Sequence, residues 1–384
     1  MDFNFSTANN IIFGDGSIQL LLEIIKGLGK NILFIRGKEK PDPSILFSIF
    51  KKANLECTSF IVNKEPDIDI VNSAVAIGRE NKCDFVLSFG GGSVIDTGKA
   101  VAALLNNKGQ LLDYLEVVGK GLPLNNRSKP FIAIPTTAGT GSEVTKNAVI
   151  YVKEHNVKVS MRNQYLLPDV AIVDPQFTFN IPKNITATTG MDAFTQVLEP
   201  YVSKNNNPMV DMFCREGILT ASTYLVRAYK NGDDFVARIK MSWVSLLGGL
   251  SLANAKLGAG HGFAGPIGGM YSIPHGSICA SLLPSVFCVN ARIIAERENN
   301  SQIHHRFLDI ARWVSGNEKA KIEDGVDALR NIAEKMNIPK LSDFGIKKSD
   351  FPMIIKKSKN SSSMKGNPIQ LSDNEMENIL DLSF

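Results

Sequence analysis

Two apolar runs in the first half of the chain each stop at a loop of glycines and hydroxyl residues. They are DFVLSFGGGS (84–93) and FIAIPTTAGTGSEVT (131–145). A short, nearly continuous apolar run ending in glycine reads as a strand buried on both faces. Around these two, NILFIRG (31–37), CTSFIV (57–62) and VAIVDP (170–175) have the same character. A helix is expected from about residue 43 to 54. DIDIVNSAVAIGRENK has helical period at Ile70, Val71, Ala74 and Ile77, and VIDTGKAVAALL reads as the helix after the triple glycine. Strands alternating with helices predict a parallel sheet with helices on both faces.

Beyond residue 182 the spacing is helical almost throughout, without another clear strand. MVDMFCREGILTASTYLVRAYK and DFVARIKMSWVSLLGGLSLANA are long and apolar at three- and four-residue intervals. IIKKSKNSSSMKGNP reads as a polar loop, and NEMENILDL as a last helix. A boundary near residues 178–186 follows, with an α/β domain over 1–180 and an all-helical domain over 181–384.

A length of 384 residues suits two cores. The formal charge of +4, with no basic run interleaved with aromatics, gives no support for a nucleic-acid partner. Five cysteines without a C-x-x-C pair point to reduced thiols in a cytoplasmic setting, not to disulfides or a cysteine zinc site. MDFNFSTANN lacks the features of a signal peptide, and no apolar run reaches the roughly 18 residues of a membrane span. No membrane partner is expected.

The loops carry the first functional signal. Three glycines at a helix N-terminus let backbone N–H groups approach a pyrophosphate. They also mark ordinary tight turns, and GGGS is not G-x-G-x-x-G. Thr136, Thr137, Thr140 and Ser142 in the second loop suit ribose or phosphate contacts, or helix capping. Two such loops in one half-chain favour phosphate binding. The second signal is LGAGHGFAGPIGGMYSIPHG (257–276), which holds two of the five histidines, His261 and His275. In GMDAFTQVLEP (190–200), Asp192 and Gln196 are four apart and share a helix face. A carboxylate, a carboxamide and two imidazoles suit one divalent metal; packing histidines are the plain alternative.

Taken in order, GGGSVIDTGK, IPTTAGTGSEVT, LLPDVAIVDP, GMDAFTQVLEP and IPHG resemble the iron-containing (group III) alcohol dehydrogenases, from about residue 10 to 370. The resemblance implies a Rossmann-like parallel-sheet domain followed by an all-helical domain, a dehydroquinate synthase-like arrangement, with the active site in the cleft between them. It implies an enzyme moving a hydride between an alcohol and NAD(P)(H), and a homodimer is expected. The family takes in propanediol, lactaldehyde and butanol dehydrogenases, maleylacetate reductases and oxidoreductases of sugar acids.

Carried over by motif, Asp192, His261 and His275 are catalytic and metal-binding. Gln196 is the fourth ligand to one Fe2+ or Zn2+, where the family usually has His. A second family histidine falls on Gly265. Gly91, Gly92, Ser93, Asp96, Thr136, Thr137, Thr140 and Lys158 are expected at the cofactor. The position where an acidic residue would favour NAD falls on Gly37, flanked by Arg36 and Lys38. That leaves room for a 2′-phosphate, so we expect NADP(H) to be accepted at least as well as NAD(H), although Glu39 is near enough in sequence to reach the ribose. Losing a ring at 265 and gaining an amide at 196 favour a bulky or polyhydroxylated substrate, such as a sugar or sugar acid. Two other readings stay open: a metal-independent reductase of the same fold, and a non-catalytic nucleotide-binding protein.

Overall fold

The computed structural model describes residues 2–38, 41–299 and 301–384. The chain divides into two compact units. One holds residues 5–137 and 141–179, and the other is essentially residues 180–384, together with 138–140 and the first four residues.

The first unit is built on a six-stranded parallel sheet. Its strands are β1 (Asn10–Phe13), β2 (Asn31–Gly37), β3 (Glu56–Val62), β4 (Phe85–Gly90), β5 (Phe131–Pro135) and β8 (Val170–Val173), in the order β1-β8-β5-β4-β2-β3. Every residue of β4 and β5 is buried, as expected of inner strands covered on both faces. The helices of this unit are α1 (Leu21–Ile24), α2 (Ser44–Lys52), α3 (Ile68–Glu80), α4 (Gly92–Asn106) and α5 (Leu111–Tyr114). Asp67 caps α3 by accepting from the Ile70 N–H. Helix α4 lies close on the sheet through Gly98, where a Cβ would meet Ser88 Oγ at 2.0 Å and the Phe131 ring at 2.7 Å.

Two elements differ from expectation. The short NIIF, not among the expected strands, precedes NILFIRG as β1 at the sheet edge. Residues 147–162 form an antiparallel hairpin of β6 (Asn147–Val152) and β7 (Val157–Arg162), so the unit is not wholly parallel. Asn156, at φ 48°, supplies the left-handed residue in its turn.

The second unit contains α6 (Lys183–Val202), α7 (Pro208–Lys230), α8 (Phe235–Asn254), α9 (Ala259–Tyr271), α10 (His275–Arg297), α11 (Gln302–Ser315), α12 (Ile322–Lys335), α13 (Phe351–Ser358) and α14 (Asp373–Leu382). Its core runs through α6, α8 and α10, whose buried residues occur on more than one face. Here two further expectations are corrected. The stretch read as a polar loop begins inside α13, because Ile354 and Ile355 are buried. Helices α8 and α10 are long and apolar enough, by length and composition, to cross a bilayer. However, 67% and 78% of their most apolar windows are buried, as in core helices.

Candidate functional site

The strand order of the sheet locates its ligand edge. After β2 the chain moves outward to β3, then returns to β4 on the other side of β2, and β5 and β8 continue in that direction. The reversal lies between β2 and β4, and ligands of open α/β sheets bind beyond the strand C-termini at such a point. Arg36 pairs with Phe89 and Gly90 with Pro135, so Gly37, the triple glycine and Thr136–Thr137 end three adjacent strands.

Gly91 is the N-cap of α4 and provides no side-chain cap, while Gly92 and Ser93 begin the helix. Their N–H groups and the positive end of the helix dipole suit an anion. A Cβ on Gly91 would lie 3.2 Å from Thr137 Oγ1, and one on Gly37 would meet nothing within 4 Å among the described residues. Arg36 is turned toward β3, with Nε donating to Ser59 Oγ at 3.3 Å and Nη1 to its neighbour's carbonyl. Lys38 is exposed, and Glu39 lies outside the described residues.

Two residues expected at the cofactor are engaged elsewhere in this unit. Asp96 accepts from Ser142 Oγ and, at 2.9 Å, from the Val149 N–H, tying α4 to the hairpin. Lys158 lies on β7, almost buried, and pairs with Glu65 at 2.6 Å. Thr136 is buried, and its N–H donates to Gly90 at 3.0 Å. Thr140 belongs to the short segment grouped with the helical unit.

Lys99, one turn after Asp96, was not anticipated. Its side chain is fully buried, and Nζ donates to Ser142 Oγ, Thr145 Oγ1 and the Asn147 carbonyl, each at 2.8 Å. Burial lowers its pKa to about 8, against the pull of Asp96 and Glu143. Burial likewise raises Glu143 to about 7, and its Oε1 has no hydrogen-bond partner among the described residues. The D-x-x-K spacing in GGGSVIDTGK was the available signal.

The second constellation lies within the helical unit. Asp192 and Gln196 lie one turn apart on α6, and both are 2% exposed. His261 is the third residue of α9 and His275 the first of α10. Gly276 lets α10 close on α6: a Cβ there would meet the Thr188 carbonyl oxygen at 2.8 Å and Asp192 Cβ at 3.4 Å. The His261 and His275 rings are 5.4 Å apart. One donor atom from each of Asp192, His261, His275 and Cys279 lies within 4.8 Å of the other three.

Cys279 is a member that sequence reasoning missed, and Glu199 is another. Glu199 Oε2 lies 2.7 Å from His261 Nδ1, and the same carboxylate accepts from the N–H groups of Gly258 and Gly260 at 2.9 and 2.7 Å. It therefore caps α9 and orients the imidazole, leaving Nε2 3.3 Å from Asp192 Oδ1.

The electrostatics suit a cation. Burial alone would lower the His261 imidazolium pKa, but Cys279, Asp192 and Glu199 outweigh it and raise the pKa well above the usual histidine range. Burial alone would raise the Asp192 pKa, but the neighbouring His261 and His275 outweigh it and lower it. Burial pushes the Cys279 thiol up to about 12. Among the described residues, Asp192 Oδ1 and Gln196 Oε1 are buried acceptors without a hydrogen-bond partner, while Gln196 Nε2 donates to the Gly139 carbonyl at 3.1 Å. Buried unpartnered acceptors are costly, and one on Asp192 among two imidazoles, with another one helical turn on at Gln196, fits a metal ion. A Cβ on Gly265 would meet nothing within 4 Å among the described residues, so there is open space at the position where the family's second histidine is missing.

Comparison with known proteins decides the family. The sequence model described as iron-containing alcohol dehydrogenase matches residues 8–175, and that of the C-terminal part of the Fe-containing alcohol dehydrogenase family matches residues 186–384. The chain belongs to the iron-containing alcohol dehydrogenase family. Alcohol dehydrogenase 4 of Schizosaccharomyces pombe is 34% identical, over 96% of this chain and 86% of that protein. A crystal structure of 1,3-propanediol oxidoreductase matches with a TM-score of 0.92 and 31% identity, over 100% of both chains. Sulfoacetaldehyde reductase from Bifidobacterium kashiwanohense, solved in complex with NAD+, matches with a TM-score of 0.87 and 27% identity, over 100% of this chain and 99% of that one. The parallel sheet and the helical C-terminal half are those of this family, as the motifs implied. As an iron-containing alcohol dehydrogenase, the chain is an oxidoreductase acting on alcohols.

Proposed function

We propose that residues 1–180 bind NAD(P)(H) and residues 181–384 hold one divalent metal, Fe2+ or Zn2+, together with a bulky or polyhydroxylated alcohol. A hydride passes between the carbinol carbon and the nicotinamide, chemistry that belongs to the cofactor once the protein has positioned it. A divalent ion on Asp192, His261, His275 and Gln196 would supply Lewis acidity toward the alcohol or carbonyl oxygen.

The reading rests on two buried acceptors one helical turn apart that lack a hydrogen-bond partner among the described residues, Asp192 Oδ1 and Gln196 Oε1, the first grouped with both histidines. Glu199 fixes the His261 ring so that Nε2 faces the site, as carboxylates behind metal-binding histidines do. The Gly139 carbonyl holds the amide nitrogen of Gln196 and so turns Oε1 away as an acceptor. Gly265 leaves space for a larger substrate and contributes no proton-transfer group, so solvent or a substrate hydroxyl takes the alcohol proton.

Open space at Gly37 supports acceptance of a 2′-phosphate. Because Arg36 is engaged with Ser59, Lys38 is the nearer choice of cation for it. The test is a screen of simple alcohols, diols, sugars and sugar acids with NAD+ and NADP+, read at the absorbance of reduced nicotinamide. A hydroxylated substrate of more than four carbons should give the highest kcat/KM. If short unbranched alcohols are turned over best, the substrate reading is wrong.

A further inference from the structure

We propose that the Cys279 sulfur is itself a ligand, giving this chain a metal site of one carboxylate, two imidazoles and one thiolate. The inference rests on the reading that an ion binds between Asp192, His261 and His275. It adds a donor of a different class and, with it, a preference among metals.

Three observations point the same way. Cys279 follows His275 by four residues on α10, so the two side chains share a helix face. Its sulfur lies within 4.8 Å of a donor atom on each of Asp192, His261 and His275, and the residue is fully buried. Metal–nitrogen and metal–sulfur bonds near 2.0 and 2.3 Å put the donors of a tetrahedral site with one sulfur roughly 3.3–3.5 Å apart. A contraction of about 1 Å or so across the group would therefore seat an ion. Independently, Asp192 Oδ1 is a buried acceptor with no well-formed hydrogen bond among the described residues, 3.3 Å from His261 Nε2 inside the same group.

Charge and softness favour sulfur over the carboxamide. A carboxylate and a thiolate together neutralise a divalent cation, whereas the Gln196 oxygen is neutral. Thiolate also selects thiophilic ions such as Zn2+ over ions that prefer oxygen. On coordination the S–H bond breaks, the sulfur–metal bond forms, and the proton leaves to solvent. No electron changes hands. Gln196 Oε1 is then a further, weaker donor to the ion or a hydrogen-bond acceptor for the substrate hydroxyl.

Cobalt(II) tests this without reference to turnover. Chelator-stripped full-length protein is loaded with Co2+ and its absorption spectrum recorded. Visible ligand-field bands report an ion in the site, and a near-ultraviolet charge-transfer band reports a thiolate on it. Wild type should show both, Gln196→Ala should keep both, and Cys279→Ser should lose the charge-transfer band while keeping ligand-field bands. Ligand-field bands without charge transfer in wild type would overturn the inference and leave the metal reading standing. Failure to bind cobalt at all would overturn both. Should Cys279→Ser not fold, X-ray absorption of the zinc-loaded wild type decides the matter alone. One sulfur scatterer at about 2.3 Å supports the inference, and a shell of only nitrogen and oxygen refutes it.

Discussion

Glu199 and His261 meet at 2.7 Å, carboxylate Oε2 to imidazole Nδ1, while the same carboxylate holds the N–H groups of Gly258 and Gly260 at the start of α9. One side chain thus starts the helix and sets the ring it carries. Partners behind a metal ligand commonly govern affinity by 10- to 100-fold. Glu199→Gln should weaken zinc binding by about that factor, measured by chelator competition. Equal affinity in variant and wild type would mean that the carboxylate serves only to cap α9.

Lys99 joins α4 to the segment that follows the Gly/Thr loop through three hydrogen bonds of 2.8 Å. Replacing it with Met leaves Asp96 and two hydroxyls without their cation. Removing one partner of a buried charged group typically costs about 3–5 kcal/mol. Lys99→Met should lower the denaturant midpoint correspondingly and weaken dinucleotide binding more than it lowers kcat. An unchanged midpoint would show that the network adapts.

The raised pKa of Glu143 gives stability a definite pH dependence. The folded state holds a proton to about pH 7, whereas the unfolded chain releases it near 4.5. The stabilisation from this group is complete below the unfolded value and is lost as pH rises through the folded one. Glu143→Gln has no such proton. It should gain on wild type by up to about 3 kcal/mol between pH 4.5 and pH 8, read as the difference between their unfolding free energies. A difference that is flat with pH contradicts the assignment.

At the end of β2, Gly37→Asp places a carboxylate in open space. It should weaken NADPH at least tenfold and leave NADH within about threefold, a discrimination of order 1 kcal/mol. Fluorescence titration with both cofactors measures this, and parallel losses for both would mean that residue 37 does not face the 2′ position.

Much of this was legible because local rules and tertiary packing agree. The inner strands β4 and β5 are continuous apolar runs that stop at their loops, so their ends could be read directly. Asp192 and Gln196 were readable as neighbours because helical spacing alone makes them so. The same four-residue rule links His275 to Cys279, but a thiol in an apolar stretch looks like packing until His261 arrives from another helix. Glu199 was hidden for a related reason, since its partners on α9 are about sixty residues away. β1 is four residues long and paired only at the sheet edge, too short for a pattern to declare itself. The hairpin alternates cleanly in NAVIYV, with Asn156 in its turn, and that signal was there to be used.

Alcohol oxidation by this chain should depend on one divalent ion among Asp192, His261 and His275. The direct measurement is activity against bound metal on chelator-stripped protein titrated with Fe2+ or Zn2+, with bound metal counted by elemental analysis. Activity should rise in proportion to occupancy, reach its plateau at one ion per chain, and be absent in His261→Ala at the same metal concentration. Stripped protein that keeps full activity would show that the reaction needs no ion there.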